Sequence, residues 1–306
     1  MLARSDQSAP ATVSPAVKKG FRMSFKNNTV AAFLFLFPAL LAVIVLRLWP
    51  AGIAIHDSLI PPGESTLSLG NYAFIFTDPQ FLGSLTMTLI FSLIVNPLQI
   101  AVALGLAMLM DNSLPLTRFW RSLVLLPVAI PQSVSAAVWG VAFRPDGLFN
   151  AILTPLGINP QPFLTSPHQA LGCIILIVSW IGVGYWMTML ITGLQDIPKS
   201  LYEAVTIDGA NKWQRFRYVT LPQLRRPITF VLVADTVANF LVFAPVQILT
   251  KGGPEGSTNL IMYDIYTRAF DQVDRGSASA ATVVLVALVL IVVSIQFRLM
   301  NDREDK

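Results

Sequence analysis

Cysteine, histidine and charge are all scarce in this chain of 306 residues. The lone cysteine, Cys173, falls inside an apolar run, which excludes an intrachain disulfide and a cysteine-based metal site. His56 and His168 are equally isolated, so a zinc enzyme or a Cys/His nucleophile pair is excluded too. Charged residues make up 12% of the chain, against roughly 25% in a soluble domain. No glycine-rich phosphate cradle exists. The nearest string, Gly193 to Ser200, carries Pro198 where the second glycine must stand, and proline has no amide hydrogen to offer a phosphate. This chain is therefore not expected to hydrolyse ATP, and no intramembrane pair of catalytic groups is visible.

What is abundant is apolar surface: 54% of residues are hydrophobic and mean hydropathy is +0.63. Lipid is the solvent for most of the chain, so the formal charge of +4 does not point to nucleic acid. Crossing the hydrocarbon takes about 20 apolar residues in a helix. Windows at 30–49, 84–110, 119–143, 169–195, 227–250 and 278–298 meet that need. Period-two alternation is absent, and an open strand would leave its amides unpaired in lipid, so the expected fold is all-α with six transmembrane helices. Residues 1–29, with Lys18, Lys19, Arg22 and Lys26, superficially resemble a signal peptide. However, the run from Val30 to Leu46 is too long for one and lacks a small-residue cleavage site, so it reads as a retained first span. Sixteen Lys and Arg fall in segments 1–29, 111–121, 196–226 and 298–306, and only four in the opposite set. The positive-inside rule then places both termini, and the 196–226 loop, in the cytoplasm. The expected organisation is a tail at 1–29, a permease domain at 30–298 and a tail at 299–306. Pro38, Pro97, Pro127, Pro131 and Pro245 interrupt spans, and Pro127 with Pro131 should bend the third one twice on one side.

The 196–226 loop is polar and basic between two long apolar runs. Pro198 and Ser200 can open a short helix, and Ser200-x-x-Glu203 fits a capping box. Asp208-Gly209 breaks that helix, because glycine readily takes positive φ. A second short helix is expected from Asn211, a good N-cap, to Val219, stopped by Leu221-Pro222. Trp213, Phe216 and Arg217 share one face of it. An aromatic pair there has two readings, burial at the lipid interface or insertion into a partner protein.

Glu203-Ala204-Val205, Gly209, Val219 and Leu221-Pro222 match the loop signature of ABC importer membrane subunits, with Val205 and Val219 as conservative departures. Asp208-Gly209-Ala210 and Pro227 sharpen the resemblance to carbohydrate-type permeases similar to the maltose-transporter membrane subunits. Leu69-Gly70-Asn71-Tyr72, Asp78-Pro79, Pro127 with Pro131, Trp139, Gly147, Asn150, the run Leu249 to Pro254, Ala269-Phe270 and Gly276 to Ala280 look like the same family, in order, from about residue 30 to 300. The resemblance implies a type I ABC importer permease fold. It implies a second homologous permease chain, two cytoplasmic ATPase subunits that use ATP and Mg, and an extracytoplasmic solute-binding protein. This chain itself would bind no cofactor or metal. Glu203, Ala204, Asp208, Gly209, Ala210, Trp213 and Phe216 would form the coupling element that docks on the ATPase.

For the solute, Asp235 is the clear ionisable residue inside a span. Asn239 and Phe243 follow at four-residue spacing, which on a continuous helix puts acid, amide and aromatic on one stripe suited to a sugar. The competing reading is an Asp235 that bonds a neighbouring helix. Ser179, Gly182 and Tyr185 in the fourth span, and Gln132 and Ser133 beside Pro131, are further pathway candidates. Glycines such as Gly182 and Gly184 equally suit close helix packing. The rival function is an ion-coupled secondary transporter using Asp235.

Overall fold

The computed structural model describes residues 28–63, 66–111 and 116–301, so Lys18, Lys19, Arg22 and Lys26 and most of the C-terminal tail lie outside the described residues. Among these residues every regular element is helical. The chain divides into two compact units, Met1–Ala51 and Gly52–Lys306, and the second holds every candidate site residue. In the first, α1 (Asn28–Val43) passes through a π-helical turn at Ile44–Leu48 into α2 (Trp49–Ser58). The Trp49 amide donates to Ile44 O, five residues back, which absorbs the change of pitch where Pro50 supplies no amide. Thus the helix begun at the 30–49 window runs on to Ser58.

In the second unit, α3 (Gly70–Ile75) precedes α4 (Pro79–Asp111), a 33-residue helix that keeps Pro97 in its interior. The third window is two helices with a sharp break between them, not one continuous helix. α5 (Thr117–Leu125) tightens into a 3-10 turn at Leu126–Ala129, and α6 (Gln132–Ala142) leaves at 100° to it. Ile130, ahead of Pro131, is driven to the extended region (φ −92, ψ 130), and Pro131 then starts the next helix instead of kinking the old one. α7 (Leu148–Leu153) follows, then α8 (Ala170–Gln195).

Three short helices, α9 (Lys199–Ile207), α10 (Lys212–Arg215) and α11 (Leu221–Gln223), build the loop. Beyond them lie α12 (Arg225–Phe240), α13 (Ala244–Leu249), α14 (Ile261–Tyr266) and α15 (Arg275–Asn301). The 227–250 window is interrupted at Leu241–Phe243, between α12 and α13. Among the described residues five helices are long and apolar enough to cross a membrane, or six if the α5/α6 pair counts as one span.

The core sits where α4, α8 and α12 meet, with Ala103 and Ala107 of α4, Met187 and Leu190 of α8 and Val231 of α12 buried together. Lipid is as apolar as these side chains, so close van der Waals fit holds the helices together. Small residues permit it: a Cβ on Gly184 would lie 2.2 Å from Val124 O, and one on Gly193 would lie 2.6 Å from Pro227 Cγ. Several resemblance motifs are structural clamps. Asn71 Nδ2 donates to Ser58 O and Ile60 O (2.9 and 3.0 Å). Asn150 accepts the Gln161 amide at 2.7 Å and donates back to Gln161 O at 3.0 Å.

Candidate functional site

The loop has a buried underside and an exposed face. Val219 and Leu224 are buried with Tyr202 and Val205 packed against them, and Tyr202 and Thr220 share a hydroxyl hydrogen bond of 2.9 Å. α9 begins after Pro198, held extended at ψ 129, with no side-chain cap, so the Ser200/Glu203 capping box does not form. The glutamate stays exposed and makes no hydrogen bond or ion pair with the described residues. The capping box is instead at α10, where Asn211 Oδ1 accepts the Gln214 amide (2.9 Å) and Gln214 Oε1 accepts the Asn211 amide (2.8 Å). Between the helices Gly209 takes φ +77, a region that penalises a Cβ. Asp208 and Ala204 are exposed and Ala210 is half-buried.

Pro222 does not stop the second helix. A π turn at Phe216–Thr220 lets the chain pass through Pro222 as the second residue of α11, and the break falls at Leu224. Trp213 and Phe216 rings lie 5.5 Å apart. Trp213 is 68% exposed, and two residues the sequence reading passed over, Ile207 and Tyr218, are 86% and 72% exposed. Large apolar side chains on a charged loop were the available signal.

The second site lies among the long apolar helices α4, α8 and α12. A cavity of ≈ 70 Å³ is lined by Gln99 of α4, Gln132 of α6, Gly182 and Trp186 of α8, and Asp235 and Asn239 of α12. Asp235 is 1% exposed and its Oδ2 has no hydrogen-bond partner. Asn239 Nδ2 donates to Asn96 Oδ1 (2.7 Å) and Gln99 Oε1 (3.2 Å). Asn96 Nδ2 in turn donates to Ser92 Oγ and Thr236 Oγ1 (2.8 and 2.9 Å), and Gln296 Nε2 of α15 reaches Thr236 Oγ1 at 2.8 Å. Four polar groups, Asn96, Gln99, Thr236 and Gln296, were missed. The signal for Asn96 was a polar stripe, Ser84, Thr88, Ser92 and Asn96 at four-residue spacing, diluted within an apolar run.

The structure brings Gln132, Gly182, Asp235 and Asn239 together and separates the rest. Phe243 leaves the stripe: it lies in the break after α12 (φ −134, ψ −58), and its ring packs 4.8 Å from Tyr266. Ser179 accepts from Gln99 Nε2 at 3.4 Å and otherwise lines an apolar groove with Trp180 and Gly184. Tyr185 is 42% exposed and packs edge-on against Trp186. Ser133 is exposed and outside the cavity.

A buried charge cluster ties α4 to the turn after α14. Arg268 Nε donates to Asp264 Oδ2 at 2.7 Å, its Nη2 donates to Asp78, and Gln80 Nε2 donates to Asp264 Oδ1 at 2.9 Å. Burial works to raise the Asp78 carboxyl, but the Arg268 hydrogen bond and charge and the Gln80 amide outweigh it and hold it below the ordinary carboxylate range.

Long apolar helices, a sharply bent helix pair, a polar cavity among those helices and a charged loop with exposed apolar side chains fit a membrane transport subunit. The chain belongs to the binding-protein-dependent transport system inner membrane component family, whose match covers residues 99–306. It is a permease component of an inner membrane, not an enzyme, and the family match sets aside the ion-coupled secondary transporter. Among its relatives is the sn-glycerol-3-phosphate transport system permease protein UgpA of Brucella abortus, 34% identical over 289 residues, covering 92% of this chain and 98% of the relative. The protein of the same name from Yersinia enterocolitica is 36% identical over 278 residues, covering 89% and 94%. In fold, the chain is similar to a chain from a bacterial ABC transporter involved in the import of the acidic polysaccharide alginate. The TM-score is 0.78 at 22% identity, over 89% of this chain and 96% of that one.

Proposed function

We propose that this chain crosses the membrane six times, through a permease domain at 30–298, with its tails and the 196–226 loop in the cytoplasm. It forms half of the translocation pathway of an ATP-driven importer for a sugar or sugar-like solute. The loop face bearing Glu203, Ile207, Trp213 and Tyr218 docks on one of two ATPase subunits, which bind the ATP and Mg. A second, homologous permease chain completes the pathway, and an extracytoplasmic binding protein delivers the solute.

The observation that carries this reading is the exposed Glu203 carboxylate, without a partner among the described residues, on a loop that also exposes aromatic and aliphatic side chains and is anchored from beneath. Transport of sn-glycerol 3-phosphate by its relatives, and of alginate by the transporter it resembles in fold, supports an importer of hydroxylated solutes. In the reconstituted importer, Glu203→Ala should lower coupled uptake about tenfold or weaken ATPase co-purification, as losing one partner of an interfacial charge contact does. Wild-type uptake together with unchanged co-purification would sink the docking assignment.

A further inference from the structure

We infer that this chain's half of the pathway selects hydroxyl-rich solutes that carry no phosphate or other anionic group. The inference rests on reading the α4/α8/α12 cavity as the solute pathway.

The hydrogen-bond inventory of the cavity is lopsided. Asn239 Nδ2 is committed to Asn96 and Gln99, and Gln99 Nε2 is engaged with Ser179. Among the lining groups the buried orphan is an acceptor, Asp235 Oδ2, on a side chain 1% exposed, with the exposed Gln132 amide on the same cavity wall. An orphaned buried acceptor is costly unless something donates to it. A sugar or polyol hydroxyl does so and can accept in return from an amide such as Gln132. A phosphate or carboxylate offers oxygen acceptors to an oxygen acceptor, and no Lys, Arg or His among the cavity's lining residues compensates its charge. At membrane depth an uncompensated anion beside a carboxyl is strongly disfavoured. Trp186 also lines this space, with its Nε1 edge toward Gly182. Similarity to glycerol-3-phosphate permeases therefore does not carry their solute over to this chain.

The test is uptake by the complete importer, with its partner permease, ATPase and binding protein, in proteoliposomes. Matched labelled probes are glycerol with sn-glycerol 3-phosphate, trehalose with trehalose 6-phosphate, and N-acetylglucosamine with its 6-phosphate. Import of a neutral member, with its phosphorylated counterpart at least about tenfold slower, is expected, because unpaired buried polar groups discriminate steeply. Asp235→Asn, which replaces the orphaned acceptor with an amide, should reduce uptake of the neutral member by up to about tenfold, the effect of losing one hydrogen bond. Gln132 is exposed, so Gln132→Lys keeps the fold; it should raise the phosphorylated-to-neutral ratio about tenfold by supplying the missing cation. That variant carries the test if Asp235→Asn fails to assemble.

Comparable uptake of a phosphorylated member, or import of no neutral member, overturns the inference while leaving the cavity as the pathway if Asp235→Asn still slows whatever is carried. If both variants leave every rate and ratio unchanged, the cavity is not the pathway and the reading beneath the inference fails.

Discussion

Two glycines on α8, one residue apart, separate packing from function. Gly184 faces the backbone at Val124, where a Cβ would sit 2.2 Å from a carbonyl oxygen, whereas the nearest atom to a Cβ on Gly182 is Trp186 Nε1 at 3.5 Å. Gly184→Ala must push the last turn of α5 aside, at a cost of about 1–3 kcal/mol typical of overpacking. It should lower the melting temperature of the purified complex. Gly182→Ala should leave that temperature unchanged and reduce uptake by narrowing the cavity. A reversed pattern would mean the two roles have been exchanged. Both glycines read alike in the sequence; only the register of α8 against α5 and α4 distinguishes them. Asp235 and Asn239 were legible because a carboxyl inside an apolar run is conspicuous. Gln99 was not, since one amide among many apolar residues scarcely alters a span's hydropathy.

Elements are held in place by a few polar clamps, and the Asp78–Arg268–Asp264 cluster makes one of them pH-sensitive. The Asp78 carboxyl is lowered in the folded state, so its contribution is present above the ordinary carboxylate value of about 3.9 and fades as pH falls through the lower folded value. Melting temperature should drop between pH 5 and pH 3 (roughly that window) in the wild type, and by less in Asp78→Asn, which has already lost the pair at neutral pH. Equal acid sensitivity in the two proteins would assign the loss to other carboxyls.

Element boundaries were legible unevenly, for physical reasons. α4, α8 and α15 follow from length and apolarity, because lipid leaves a long apolar run no other way to satisfy its backbone. The proline pair at 127 and 131 foretold a bend in the third window but not its size, because Ile130 was free to go extended and turn a kink into a 100° break. The Leu241–Phe243 break carries no proline of its own, and it took Phe243 out of the stripe with Asp235. In the loop, Gly209 and Asn211 act as their residue types dictate, whereas the Ser200/Glu203 pattern formed no box because Pro198 opens α9 without a side-chain cap.

At the scale of the whole subunit, the loop and the cavity share one lever. α12 starts at Arg225, directly after Leu224 anchors the loop in the core, and carries Asp235 and Asn239 as one unbroken helix to Phe240. Ten residues of helix span about 15 Å, so if an ATPase docks on the loop as proposed, a displacement there would reach the cavity as rigid motion rather than as a relay of side chains. The packing of Pro227 on Gly193 gives that lever a bearing against α8. Inserting two glycines between Leu224 and Arg225 should decouple the ends, because glycine supplies the backbone freedom the helix denies. The ATPase subunits should still co-purify and hydrolyse ATP, while solute uptake per ATP falls about tenfold, since a coupling of 1–3 kcal/mol between sites corresponds to roughly 5–150-fold. Measuring both rates on the same proteoliposomes distinguishes the outcomes. If hydrolysis and uptake fall together, the insertion has damaged docking. If the ratio of uptake to hydrolysis is unchanged, α12 is not the element that transmits the motion, and the remaining route from the loop to the cavity is through α8.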